Sequence, residues 1–126
     1  MVKPVEFYMN PQTSGSNHYQ IEDKEIKKEA ILEEAIKEFN NLHDALTSNG
    51  VNVTALKGIK GCPDHIFPNW FITFEDKSMQ IFSMRAENRR KEKTPEMIEF
   101  LKQEYKLTDD LSHYEELELF LESTSS

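Results

Sequence analysis

Gly61-Cys-Pro-Asp-His-Ile-Phe-Pro-Asn-Trp-Phe71 sets one acidic side chain, Asp64, between a proline and an aromatic cluster. A strand-like run follows it, and then Met84-Arg-Ala-Glu-Asn-Arg-Arg90. An acid and paired arginines are what a pocket needs to hold a small zwitterion with a cationic end. Working outward, Trp70-Phe-Ile-Thr-Phe74 and Met79-Gln-Ile-Phe-Ser-Met84 read as strands joined by the turn Glu75-Asp-Lys-Ser78. Upstream, Lys57 to Asn69 holds two glycines and two prolines and reads as a loop.

Toward the N-terminus, Val5-Glu-Phe-Tyr-Met9 is aromatic and β-prone, so a first strand is expected there. Asn10 to Asn17 is a cluster of turn formers and reads as a loop. A long helix is predicted over Asp23 to Ser48, where Leu32, Ala35, Ile36, Phe39, Leu42 and Leu46 recur at helical spacing opposite a Glu- and Lys-rich face. Asn49-Gly50 supplies the stop, because glycine tolerates the left-handed conformation that ends helices. Val51-Asn-Val-Thr-Ala-Leu56 alternates apolar and polar and reads as a second strand.

Downstream, Thr94-Pro95-Glu96 opens a second helix with a capping hydroxyl, a proline at the first helical position and an acid at the positive dipole end. Ile98, Leu101 and Tyr105 give its inner side. Lys106 to Glu116 reads as polar and irregular, Leu117-Glu-Leu-Phe-Leu121 as a last strand, and the Ser-Thr tail from Ser123 as frayed. The order β-α-β-β-β-α-β points to an α/β or α+β fold. No linker divides the chain, so a single domain over 1–126 is expected.

Composition excludes several function classes. Fifteen basic against twenty-three acidic residues give a formal charge of -8, which repels phosphate backbones. The basic run Arg89-Arg-Lys-Glu-Lys93 is short and interrupted by Glu92, so no nucleic-acid partner is expected. One cysteine forbids an internal disulfide and fits a reducing compartment. No apolar run is long enough for a membrane span, and the N-terminus has no signal core; cytoplasmic residence and no membrane partner are the expectation.

Each candidate residue has a plain reading beside the functional one. Asp64 after a proline reads either as a turn former bonded to nearby amides or as a carboxylate that receives a planar cationic group. Phe67, Trp70 and Phe71 read either as core or as rings that stack on that cation. Arg89 and Arg90 read either as a solvated turn before a helix or as a clamp for a carboxylate. Cys62 lacks an adjacent base or positive field and is not expected to be a nucleophile. His18, His43, His65 and His113 are scattered singly, so no metal is expected, and the four glycines build no phosphate loop, so no cofactor is expected.

Four stretches in order resemble the amidinotransferase (pentein) superfamily. They are Phe7-Tyr-Met-Asn-Pro-Gln-Thr-Ser-Gly-Ser-Asn-His-Tyr19, Pro63-Asp-His-Ile-Phe-Pro-Asn-Trp-Phe71, Met84-Arg-Ala-Glu-Asn-Arg-Arg-Lys-Glu92 and Phe120-Leu-Glu-Ser-Thr-Ser125. The branch they resemble is the citrulline-utilisation hydrolases, relatives of arginine deiminases and dimethylarginine hydrolases. The resemblance implies an α/β propeller of five ββαβ-type modules around a central pocket, of which this chain would supply roughly the first two. It implies a small guanidino or ureido ligand. By position, Asp64 matches the acid that holds the guanidinium, Phe67 an aromatic lining the pocket, Arg89 in preference to Arg90 a residue near the substrate carboxylate, and Glu122 the second guanidinium-binding acid.

The departures carry expectations too. Family members attack the guanidinium carbon with a cysteine helped by a histidine, and the resemblance places both beyond the matched stretch. A truncated, substrate-binding portion of a guanidine-modifying hydrolase, inactive alone, is therefore expected. Only Asn69 stands where the branch has two asparagines, and Ser123 and Ser125 replace two glycines, which removes backbone freedom at a turn. The alternative is a non-catalytic binding protein whose cut propeller edges are covered in a homo-oligomer or by a complementing chain.

Overall fold

Proline at position 4 decides where the first strand can lie. The computed structural model describes residues 1–13 and 24–123, which fall into two units, Met1–Ile66 and Phe67–Ser126. In the first unit, β1 is Val2–Lys3 and pairs in parallel with β2, Leu56–Lys57, with Val2 opposite Leu56 and Lys3 opposite Lys57. Leu56 N–H donates to Met1 C=O and Gly58 N–H to Lys3 C=O, each at 2.9 Å, and the terminal amine reaches Thr54 C=O at 2.8 Å. The strand expected at Val5–Met9 is thus displaced to Val2–Lys3, because Pro4 has no N–H with which to extend a ladder. The strand expected at Val51–Leu56 contracts to Leu56–Lys57. Alternation made Val51–Ala55 strand-like, but β1 is two residues long and offers them no main-chain partner.

Between these strands runs α1, Lys24–Ser48; the expected start at Asp23 lies outside the described residues, as do Ser14–Asn17 of the expected loop. Leu32, Ala35, Ile36, Phe39 and Leu46 form a half-buried stripe as expected. Leu42, 54% exposed, is not part of it; half-buried His43 takes that place, its ring stacked on Phe39 with centroids 6.3 Å apart. The helix ends at the expected glycine. Gly50, at φ 83°, donates to Thr47 C=O at 3.0 Å, and Val51 N–H reaches back to Leu46 C=O at 3.0 Å, a Schellman pair that satisfies two terminal carbonyls.

In the second unit, β3 is Phe71–Thr73 and β4 is Ser78–Ile81, antiparallel, with Phe71 opposite Ile81 and Thr73 opposite Met79. Both are shorter than the expected strands, and Phe82 N–H adds one further rung to Trp70 C=O at 2.8 Å. Their turn is built by Asp76, whose Oδ1 accepts from Ser78 N–H at 2.9 Å and Ser78 Oγ at 2.6 Å while Lys77 takes φ 65°. Those bonds favour the ionised carboxyl and hold Asp76 below the usual carboxylate pKa.

After β4 come α2, Glu87–Arg90, α3, Pro95–Lys102, and β5, Lys106–Asp110, which pairs in parallel with β4. The sheet order is β3-β4-β5, so the unit reads ββαβ with a mixed sheet. Thr94 Oγ accepts from Met97 N–H at 3.3 Å and Pro95 opens α3, as the sequence predicts; Met97 is its buried residue, with Ile98, Leu101 and Tyr105 half-buried. Two expectations fail. Lys106–Asp110 is a strand rather than irregular, held as an edge by main-chain bonds to β4, with only Leu107 half-buried. Leu117–Leu121 is no strand. A 3-10 helix spans Ser112–Leu117, Glu118 takes φ 55°, and a single rung joins Leu121 N–H to Ser83 C=O at 3.1 Å.

Trp70, Met79, Ile81 and Met84 are at most 1% exposed and make the unit's apolar centre. Their alternation along β4 puts Met79 and Ile81 inward. Among the described residues no helix is long and apolar enough to cross a membrane.

Two outcomes test these assignments. A Cβ on Gly58 would stand 2.9 Å from Lys3 C=O, so Gly58→Ala should force β1 and β2 apart and cost about 1–3 kcal/mol, read as a lower denaturation midpoint. Asp76 is depressed in the folded state, so its contribution to stability is full above the unfolded value of about 4 and is lost as pH falls through the lower folded value. Carboxyl carbon NMR should show Asp76 titrating below that value in the native protein and moving up toward it in Ser78→Ala.

Candidate functional site

Cys62-Pro-Asp-His65 closes a β-turn in the first unit, with His65 N–H donating to Cys62 C=O at 3.1 Å. Proline at its second position presets φ, and Asp64 occupies the third. Gly61 leads into it at φ 79°, and its N–H is taken by Glu6 Oε2 at 2.7 Å. Asp64 is half-buried, and its carboxylate does not bond neighbouring amides as a simple turn former would. Oδ2 instead accepts from Asn10 Nδ2 at 2.8 Å and Thr13 Oγ at 3.4 Å. Asn10 is itself 3% exposed, and its Oδ1 accepts from Gln12 N–H at 3.0 Å. Two stretches some fifty residues apart therefore meet at one carboxylate oxygen. Among the described residues nothing bonds Asp64 Oδ1, which leaves an acceptor for a cationic group.

Phe67 opens the second unit and is 47% exposed. Its carbonyl accepts from Arg89 Nη2 at 2.6 Å and from Asn69 N–H at 2.7 Å. Arg89 is 7% exposed and lays its Nε and Nη2 against Glu92 Oε1 and Oε2, at 3.2 and 3.4 Å, with Glu92 fully buried. Arg90 is turned to the main chain: Nε donates to Met84 C=O at 2.8 Å and Nη2 to Arg85 C=O at 3.1 Å. Its guanidinium also lies 5.6 Å from the Phe120 ring centroid. Neither arginine is the solvated turn of the plain reading.

Glu122 is exposed and its Oε1 accepts from Arg85 N–H at 2.8 Å. Beside it, Glu115 Oε1 accepts from Met84 N–H at 2.8 Å and from Lys93 Nζ, which also donates to Phe82 C=O at 3.0 Å and Ser112 Oγ at 2.8 Å. The segment 82–85 is thus held by side chains that all lie downstream of it, at Arg90, Lys93, Glu115 and Glu122. Sequence reasoning missed Glu92, Lys93 and Glu115 as partners. The Arg-x-x-Glu spacing from Arg89 to Glu92 was the one legible signal, since residues three apart on a helical turn face each other.

Trp70 is 1% exposed and belongs to the core; among the described residues its Nε1 has no acceptor. Phe71 is half-buried against it, ring centroids 4.7 Å apart. Cys62, the chain's one cysteine, is 1% exposed and closed to substrate. His65 is buried, with Nδ1 accepting from Ile59 N–H at 3.3 Å; His43 and His113 lie apart from it in the sequence, and His18 is outside the described residues. Among the described residues no three His, Cys, Asp or Glu gather to hold a metal ion. A shallow open depression at Lys102–Leu107 contains none of the candidate residues.

The family model described as N,N dimethylarginine dimethylhydrolase, eukaryotic, matches residues 3–126. The chain belongs to this family. The dimethylarginine dimethylhydrolases are pentein-superfamily members, so the superfamily that the four stretches resemble is the right one. Among curated proteins and solved structures, none matches the chain.

Burial of Cys62 has a measurable consequence for this family member. A disulfide reagent such as Ellman's should label the native protein far more slowly than the urea-unfolded chain. Equal rates would show an accessible thiol and reopen its candidacy as a nucleophile.

Proposed function

We propose that these 126 residues are the substrate-holding share of a guanidine-modifying hydrolase and do not carry its nucleophile. The ligand is an arginine, a methylated arginine or a citrulline-type ureido compound. The supporting observation is the carboxylate of Asp64, fixed through Oδ2 by Asn10 and Thr13 with Oδ1 unbonded among the described residues. An oriented carboxylate loses little freedom on accepting a guanidinium fork. Phe67, 47% exposed, is carried as the aromatic wall on the resemblance alone. Of the arginine pair, Arg89, with Arg90 as the alternative, is carried for the substrate carboxylate on the resemblance alone. Glu122 is carried as the second acid on the resemblance alone.

The finer placement follows from the same motifs. The Pro63–Phe71 and Met84–Glu92 stretches favour the citrulline-utilisation branch, and the ββαβ order of the second unit suits one module of a five-module propeller. The full reaction would be substitution at the guanidinium carbon by a cysteine thiolate in another segment, assisted by a histidine. No cofactor enters it. A single cysteine, which can form no internal disulfide, suits a cytoplasmic setting.

Calorimetric titration with arginine, N,N-dimethylarginine and citrulline tests the proposal. At least one should bind, and Asp64→Ala should weaken it by on the order of tenfold or more. Equal binding by the two proteins would remove Asp64 from the site. Release of ammonia or dimethylamine by the purified 126-residue chain would refute the absence of a nucleophile.

A second reading rests on a different observation. Leu117, Leu119 and Leu121 are each more than half exposed, with Phe120 at 38%, an apolar stretch that suits contact with a second copy of the chain or a complementing one. In that reading the protein binds and oligomerises without catalysis. Light scattering separates the cases: a mass near 14.8 kDa counts against it.

A further inference from the structure

We propose that Asn10 is a positioning residue for Asp64, one that aims the carboxylate and does not itself touch the ligand. The proposal rests on the reading of Asp64 as the acceptor of a cationic ligand group, and deepens it. All of its geometry lies within the first unit. Val5–Met9 forms no ladder there, and side chains tie the N-terminal stretch to the loop that carries Asp64. Glu6 Oε2 takes Gly61 N–H at 2.7 Å, and Asp64 Oδ2 takes Asn10 Nδ2 at 2.8 Å and Thr13 Oγ at 3.4 Å. Thr13 is exposed and its bond is long, whereas Asn10 is 3% exposed and its bond is short. A hydrogen bond shielded from water is stronger than one for which water competes. Asn10 therefore decides where the carboxylate points.

The residues around Asn10 lock it in turn. Asn10-Pro-Gln-Thr13 is a β-turn closed by Thr13 N–H to Asn10 C=O at 3.2 Å, with proline at its second position presetting φ. Asn10 Oδ1 accepts from Gln12 N–H at 3.0 Å, an Asx-turn inside that β-turn. A main-chain amide can only donate, so this bond assigns the oxygen of the Asn10 side chain and leaves its NH2 group to face Asp64. Cys62-Pro-Asp-His65 is a second proline turn, with Asp64 at its third position. Two stiff turns thus meet through one buried donor. Among the described residues, Oδ2 of Asp64 is occupied from the protein side and Oδ1 is left for a ligand. Aspartate at position 10 would turn an acceptor toward Asp64, and alanine would turn nothing toward it.

The test uses the full chain with Asn10→Ala, Asp64→Ala, both together, and the exchange Asn10→Asp with Asp64→Asn. The exchange keeps one amide facing one carboxylate but moves the carboxylate to position 10. The first readout needs no ligand. Proton couplings between Hα and Hβ of Asp64 report its χ1 angle; the wild type should hold one rotamer and Asn10→Ala should average over several. A single rotamer in both proteins overturns the positioning role, whatever the protein binds. The second readout is calorimetric titration with arginine, N,N-dimethylarginine and citrulline. Asn10→Ala should weaken binding by about tenfold, and should add no loss in an Asp64→Ala background. Unchanged affinity overturns the proposal. Additive losses overturn it as well, because they make Asn10 a ligand contact in its own right. If Asn10→Ala does not fold, the exchange decides: it should fold, with a Tm near that of the wild type, and lose the ligand. Binding at the wild-type level would show that the place of the carboxylate is immaterial, and failure to fold would show that the facing pair is not what joins the turns; either overturns the proposal. If the wild type binds none of the three ligands, the guanidine-binding reading fails, and the couplings alone decide the role of Asn10.

Discussion

A fully buried carboxylate, Glu92, paired with a nearly buried guanidinium, Arg89, is the constraint on which the second unit turns. Taking two charges out of water costs several kcal/mol per ion, and the pair recovers it only through good geometry and further hydrogen bonds. Here the further bond goes to a main-chain carbonyl, Phe67, rather than to solvent. Removing one partner of such a pair costs about 3–5 kcal/mol, a large part of the roughly 5–15 kcal/mol that holds a domain folded. Surface pairs such as Lys77–Glu104 and Lys102–Glu99 are screened by solvent and decide nothing comparable. Lys77 is raised above the usual lysine pKa by its bond to Glu104, yet it is solvent-exposed and can be lost without consequence for the fold.

The second unit repeats one device. A charged side chain leaves its own helix or turn and takes a main-chain group of the segment around β4. Arg90 takes the carbonyls of Met84 and Arg85, Lys93 that of Phe82, Glu115 the amide of Met84, and Glu122 the amide of Arg85. After Ile81 the ladder to β3 and β5 ends, and the chain from Phe82 to Arg85 has main-chain groups with few strand partners. Buried groups of that kind must be satisfied somewhere. Side chains from α2, the α2–α3 turn, the 3-10 helix and the C-terminal stretch do it, so Arg90 and Lys93 of the basic run serve as internal fasteners.

Local signals were readable in the sequence, and non-local ones were not. The stop at Gly50, the cap at Thr94 and the turn at Asp76 each depend on a few adjacent residues, and all three form as expected. The strands were read poorly because their limits are set by partners. Val5–Met9 has strand-like residues and no ladder, whereas Lys106–Asp110 has polar residues and a ladder supplied by β4. Leu42 fell out of the α1 stripe and His43 entered it because an alternating 4–3 spacing from Leu32 to Leu46 passes through residue 43. At the candidate site, Asp64 was legible as an unusual acid, but its partners Asn10 and Thr13 lie some fifty residues away and no local rule links them.

The two candidate carboxylates differ in a way that bears on how each could serve a cation. Asp64 is held by side-chain donors on one oxygen, and those donors are themselves tied down, Asn10 through Gln12 N–H and its own carbonyl to Thr13 N–H. Its orientation is inherited from a closed local network and owes nothing to a ligand. Glu122 holds a single main-chain amide on a solvent-exposed stretch, flanked by Leu121 and Ser123, which make one or two bonds each to Ser83 and Asn69. A carboxylate fixed before binding contributes more of its interaction energy to affinity than one that must be ordered by the ligand. In the proposed reading Asp64 is therefore the better prepared of the two to receive a guanidinium, and Glu122 contributes only as far as the stretch that carries it is itself held in place.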